Sequence, residues 1–382
     1  MTSIPQELID TIIHEVEDAD SLKACTLTAS SLRDTSQRIL FNSLTLMLPG
    51  QYSVWSTRLA ESPHVAEYIR TLRLRISSRH SQGFETQSLA LVLGKLMNVR
   101  RCTIAGDGDL AFRNWDQLGP FAQVAIDFVR RQTLAELHLV FFNGLPLSVL
   151  ALLVSCAPRV SFSHTEIGPF LMDSPSDPTP CLEQLLLAQK TSSISLALQA
   201  PECSPYLTKL RRLGLRPDGQ YNGILVSVGP TLEHVRFDCT SRSSNSVLLP
   251  LPRLPVLRSV DLVILFGARH EAWLLDGLLD ILRSCPDTLD EICVTYYTID
   301  REILPPYVLQ PATLATLDQT MANCTVSPRL RWRLDFDLDH DGEHLAAFTM
   351  FVQQGLPRVH ERNKLMVEGF SFTEELREWS IR

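Results

Sequence analysis

Arginines recur between apolar residues throughout this 382-residue chain, as in Leu72-Arg73-Leu74-Arg75 and Arg212-Leu213-Gly214-Leu215-Arg216. A guanidinium is a planar fork of donors that matches a carboxylate or a phosphate. Arg73, Arg75, Arg101, Arg159, Arg212, Arg216 and Arg236 are therefore candidate substrate-binding residues, and an acidic or phosphorylated protein segment is the ligand they would take. Glu136, Asp238, Asp261 and Glu291 share their pattern positions, so the set is net positive although the chain carries a formal charge of -8. The alternative reading is an ordinary solvated strand face, since charged residues outside a core need no partner.

Other chemistry falls away on spacing. Asp337-x-Asp339-x-Asp341-Gly342 opens like a calcium loop, but its twelfth position is Phe348 where a bidentate Glu is required. Gly106-Asp107-Gly108 lacks the third glycine of a dinucleotide fingerprint, and no GxSxG, Walker A or HExxH motif occurs. His14-Glu15, His270-Glu271 and His360-Glu361 lack the second histidine of a zinc site and read as surface pairs. The expectation is a chain with no catalytic residues, no cofactor and no metal. Nine cysteines without a CxxC read as reduced, mostly buried thiols rather than a disulfide framework.

The elements that must position the arginines are legible from a six-residue pattern: an apolar residue, two variable positions, then two apolar residues around one variable position. It occurs as Ile69-x-x-Leu72-x-Leu74, Val99-x-x-Cys102-x-Ile104, Leu134-x-x-Leu137-x-Leu139, Ala157-x-x-Val160-x-Phe162 and Leu182-x-x-Leu185-x-Leu187. It continues as Leu210-x-x-Leu213-x-Leu215, Leu232-x-x-Val235-x-Phe237, Leu257-x-x-Val260-x-Leu262 and Leu289-x-x-Ile292-x-Val294. Copies lie roughly 22 to 35 residues apart, the period of stacked units each too small to bury its own apolar face. Stretches with helical spacing follow the copies, at 87–96, 121–131, 147–156, 224–228, 272–285 and 313–324. The pattern predicts an α/β solenoid with a parallel sheet, its pattern residues inward and the arginines on the concave side.

After the ninth copy, Trp332, Leu334, Phe336 and Leu338 alternate with charged residues as a half-buried strand would. A helix over 343–354, a strand near 365–367 and a short terminal helix from Ser371 to Trp379 then close the array. The prolines of 173–180 mark a surface loop. The acidic balance excludes a protein that coats nucleic acid through bulk positive charge. The longest apolar stretch, 147–156, is about half a bilayer span, and no basic start precedes an apolar run. A soluble protein of the cytoplasm or nucleus, with no nucleic-acid or membrane partner, is expected.

The first 48 residues differ. Pro5 suits a first helical position, with Leu8, Ile9, Ile12, Ile13 and Val16 following at helical spacing. Asp20 or Ser21 can cap a second helix carrying Leu22, Cys25 and Leu27. Ser31 with Asp34 resembles a capping box opening a third, which runs to Ile39, Leu40 and Phe41. Leu44, Leu46 and Leu48 then alternate as a strand.

The runs Ile4-Pro5-Gln6-Glu7-Leu8-Ile9, Leu22-Lys23-Ala24-Cys25-Thr26-Leu27 and Arg38-Ile39-Leu40-Phe41 resemble the F-box, in the form found in fungal F-box proteins with degenerate leucine-rich repeats. The resemblance implies an F-box-like domain over 1–48 and a repeat solenoid with a C-terminal cap over 49–382. It implies a non-catalytic substrate receptor of a Skp-cullin-F-box type ubiquitin ligase. Pro5, Leu8, Ile9, Ile12, Leu22, Leu27 and Leu40 would then dock the Skp adaptor, and the repeats would hold the protein substrate. Helices that only cap the open end of the array, on an interaction scaffold, are the alternative.

Overall fold

The computed structural model describes residues 4–76, 83–106, 113–168, 181–216, 221–239, 251–265, 277–279, 281–282, 287–297, 311–324, 326, 328–335 and 343–370. The chain divides into two compact units, Met1–Ser176 and Asp177–Arg382.

The first unit opens with three helices, α1 (Gln6–His14), α2 (Ala19–Thr28) and α3 (Ser30–Leu40). Their ends differ in detail from the sequence reading. Pro5 stands at the cap rather than inside α1, and Asp18 caps α2 by accepting from the Ser21 backbone N–H at 2.7 Å. No side chain caps α3; Asp34 instead pairs with Arg38 at 2.8 Å and accepts from the Tyr68 hydroxyl at 2.5 Å. Tyr68 lies in α5 (Val65–Tyr68), so that bond ties the helices to the first repeat.

Strands β1 (Ser43–Leu46), β2 (Thr71–Arg75), β3 (Arg101–Ala105), β5 (Glu136–Leu145) and β6 (Arg159–Ile167) pair in chain order, all parallel, while the short β4 (Arg113–Asn114) pairs the far end of β5. Parallel neighbours need a crossover. It is supplied by α4 (Pro49–Glu61), α6 (Gly83–Lys95), α7 (Pro120–Arg131) and α8 (Leu147–Cys156). The expected strand through Leu48 stops at Leu46, because Pro49 starts α4 and the Gln51 carboxamide accepts from the Met47 and Leu48 N–H groups.

The second unit repeats the plan with β7 (Gln184–Leu187), β8 (Arg212–Leu215), β9 (His234–Cys239), β10 (Ser259–Leu265), β11 (Glu291–Tyr297), β12 (Arg329–Asp335) and β13 (Leu365–Phe370), parallel and in chain order. Strands that follow one another across a sheet in chain order are the topology of stacked repeats. This is an α/β repeat fold, as the spacing of the pattern predicts. The expected helices at 224–228, 313–324 and 343–354 appear as Asn222–Val228, Pro311–Asn323 and Glu343–Gly355. The 173–180 loop, the 337–342 opening of the calcium-like loop, His270-Glu271, most of the expected 272–285 helix and the terminal helix lie outside the described residues.

All nine copies of the pattern point the same way: each of their 27 apolar residues is 3% exposed or less. Three further rungs join them. Leu44 and Leu46 stand level with Leu72 and Leu74, Leu330 and Trp332 with Ile292 and Val294, and Leu365 and Val367 with Leu330 and Trp332. β12 therefore continues the strand half of the pattern, with Leu330 and Trp332 in the inward column.

Just ahead of the strands, backbone bonds run from rung to rung: Arg70 N–H to Asn42 O, Arg100 N–H to Arg70 O, and Ala135 N–H to Arg100 O. The side chains there are staples too. Arg70 donates to Asn98 O and Arg100 to Thr133 O, the same bond one repeat later. In the second unit the corresponding column is Glu183, Arg211, Glu233, Arg258 and Asp290, strictly alternating in charge. Neighbours of opposite sign at one position favour that stacking register over any slip.

The strand exits are irregular. Phe141, His164 and Lys190 have φ of 67°, 47° and 53°, and Phe141 stacks on His164 at 5.0 Å. Gly106 has a structural task there, since a Cβ would run into the Phe141 carbonyl oxygen. The Thr165 hydroxyl, buried at the exit of β6, donates to Ser163 O at 2.9 Å.

Candidate functional site

Two surfaces of the first unit stand out, one apolar and one basic. The apolar one follows from how α1 is turned. Its polar residues are used for attachment: Gln6 Nε2 donates to Asp10 Oδ1 at 2.8 Å and to Ser31 O at 2.9 Å, and the Thr35 hydroxyl donates to Asp10 Oδ1 at 2.5 Å. Those hydrogen bonds, from Thr35 first and Gln6 second, hold the Asp10 carboxyl below the usual carboxylate range. Ile13 is buried on that side, and Ile9 is half-buried. The opposite stripe, at spacing of four, faces water with Ile4 62%, Leu8 56% and Ile12 60% exposed.

Of the other residues expected to dock an adaptor, Pro5 is exposed, Leu27 on α2 is 84% exposed, and Leu40 is half-buried. Leu22 is 3% exposed, so it holds the helices together from within. Ile4, Leu8 and Ile12 form one exposed apolar stripe along α1, the kind of surface that marks interaction sites.

The basic surface is the face of the sheet opposite the pattern residues. The strand register lays it out in cross-strand rows. One row reads Ser43, Thr71, Arg101, Glu136 and Arg159; the next reads Thr45, Arg73, Thr103, His138 and Ser161. The Glu136 carboxylate, only 4% exposed, lies between two guanidiniums: Oε1 is 2.9 Å from Arg159 Nη1 and Oε2 is 3.3 Å from Arg101 Nε. The arginines themselves remain 63% and 44% exposed at the side chain. Arg73 stands exposed in the second row with no ion pair or hydrogen bond to its guanidinium among the described residues, and Arg75 is half-buried beside it.

Glu136, His138 and Ser161 come together in the order acid, imidazole, hydroxyl. The Ser161 hydroxyl and His138 Nδ1 are hydrogen-bonded, and His138 Nε2 is 4.0 Å from Glu136 Oε2. That last separation is too long for a hydrogen bond. The carboxylate is engaged by two arginines, and the strand N–H groups that could stabilise an oxyanion are bonded within the sheet. The cluster forms a surface lined by guanidiniums, an imidazole and a hydroxyl around one buried carboxylate. His138, Thr103 and Ser161 were not singled out from sequence, although each occupies the variable position inside the pattern.

The remaining arginines have a different setting. In the second unit the corresponding row reads Leu186, Gly214, Arg236, Asp261, Cys293, Arg331 and Met366. Leu186, Gly214, Arg236 and Cys293 of this row are buried, as are Val263 and Thr295 one row along, while Asp261 and Arg331 are half-buried and Met366 at the last strand is 50% exposed. Arg212 and Arg216 are half-buried. His234, level with Arg212, is held below the ordinary histidine range by burial first and by that guanidinium second. Burial pushes the Cys293 thiol up to about 12. At the far strands Arg331 meets Glu368 at 2.6 Å and Glu291 at 3.7 Å, and Arg333 meets Glu368 at 3.2 Å.

Among the described residues no group of three His, Cys, Asp or Glu could hold a metal ion, and no helix is long and apolar enough to cross a membrane. The eight described cysteines are free thiols, four of them buried. Comparison with known protein families and with curated proteins gave no match.

Proposed function

We propose that this protein is a non-catalytic substrate receptor of a Skp-cullin-F-box type ubiquitin ligase. The three N-terminal helices dock the Skp adaptor and the repeats hold a protein substrate, with transfer chemistry left to the other subunits. The observation that carries the reading is the orientation of α1. Asp10 and Gln6 anchor the helix while Ile4, Leu8 and Ile12 are presented to water. A helix that merely capped a repeat array needs only the inward stripe of Ile9 and Ile13; a second apolar stripe turned to water has no use in capping.

The test is co-purification with a Skp adaptor. The wild-type chain is expected to form a stable complex that Leu8→Asp disrupts, because forcing a carboxylate into an apolar interface costs on the order of 3 kcal/mol or more. Leu8 is exposed in the free chain, so the substitution leaves the fold intact. Absence of a wild-type complex at micromolar concentration would leave the scaffold reading in its place.

A further inference from the structure

A parallel sheet is ordinarily buried on both faces. The sheet of the first unit leaves one face open to solvent, and that face carries four arginines, Arg73, Arg75, Arg101 and Arg159, against the described carboxylates Glu136 and, at the exit of β6, Glu166. The charge is matched by the polar lining: Thr45, Thr71, Thr103 and Ser161 stand in the same two rows. In a chain of formal charge -8 such a concentration of positive charge has a local cause.

We propose that this face binds an extended, carboxylate-rich segment of a partner protein, and that Glu136 is a built-in competitor for it. Glu136 occupies the place a ligand carboxylate would take, lying between the two guanidiniums that flank it across the sheet. Arg73, one row along and unencumbered among the described residues, makes the first contact. An acidic side chain arriving beside it then shares Arg101 and Arg159 with Glu136. Arg101 and Arg159 stand two strand spacings apart at the backbone, about 10 Å, but both guanidiniums close on the Glu136 carboxylate, so a ligand carboxylate meets their outward N–H groups above it. Removal of the internal carboxylate should therefore tighten binding. The proposal deepens the substrate-receptor reading and rests on it for calling the ligand a substrate, but its test does not pass through the adaptor.

The probe is fluorescein-labelled decaglutamate, followed by anisotropy with the full chain, with decalysine as the control peptide. The wild type is expected to bind decaglutamate and ignore decalysine, with affinity falling as salt rises. Arg73→Glu should weaken binding at least tenfold, while Arg253→Glu, an exposed arginine of the second unit, changes it less than twofold. Glu136→Gln should tighten binding by about tenfold, the value of one charge-assisted hydrogen bond regained. Thermal melts of each variant confirm the fold, and Arg73→Glu stands as the decisive variant if Glu136→Gln proves unstable.

No wild-type binding, or equal losses from Arg73→Glu and Arg253→Glu, would overturn the site. Unchanged or weaker binding by a folded Glu136→Gln would overturn its competitor role. A chain that binds decaglutamate but not the Skp adaptor would retain this site and lose the ligase reading; the reverse result would do the opposite.

Discussion

The same apolar pattern builds both units, yet the sheet face it leaves over is treated in opposite ways. In the first unit Thr71, Arg73, Arg101, Thr103, Arg159 and Ser161 keep partial or full contact with water. In the second Leu186, Arg236, Val263, Cys293 and Thr295 lose it. Inward residues decide that a repeat stacks; the residues between them decide whether the other face meets water or is buried. An arginine at the same pattern position is thus a surface group at Arg73 and an interior one at Arg236.

The comparison is most easily broken at that pair. Arg236→Glu would put a buried carboxylate level with Asp261 and should destabilise the protein by about 4 kcal/mol, whereas Arg73→Glu should stay within about 0.5 kcal/mol. Urea unfolding of the two variants measures the difference; similar losses would mean that the faces are not distinct.

The inward residues should show the opposite, a likeness. Leu74→Ala and Leu262→Ala remove equivalent buried side chains and should each cost about 3 kcal/mol. Hydrogen exchange within each unit reports the loss locally. A much smaller loss at either position would mean that its rung is not packed as its counterpart is.

How much of this was legible follows from the strands themselves. β2 reads Thr-Leu-Arg-Leu-Arg and is buried in strict alternation, so period two gives both its core and its open face. β7 reads Gln-Leu-Leu-Leu and is buried throughout. A continuous apolar run is the mark of a strand covered on both sides. That signal, present again in the Leu262-Val263-Ile264 run of β10, was available to place Arg236 inside.

Helix α4 escaped because its inward residues Tyr52 and Leu59 are seven apart with mostly polar or small residues between, too sparse for a helical period to register. For α1 the resemblance places Leu8 and Ile12 outward, and both are exposed, but the residues by themselves leave the orientation open. Ile9 and Ile13 offer one apolar stripe and Leu8 and Ile12 another, and only the bonds of Gln6 and Asp10 to α3 decide which turns inward.

The claim that this sheet face is open in the first unit and buried in the second can be read directly from thiol chemistry. Cys293 already reports on the second unit, and Thr103→Cys introduces a reporter at a half-exposed position level with Arg73 on the first. Alkylation of the native protein, resolved residue by residue by mass spectrometry, is expected to modify the introduced thiol rapidly, helped by the neighbouring guanidinium, while Cys293 stays protected until the protein unfolds. Modification of Cys293 at a rate comparable to that of the introduced thiol would contradict the account.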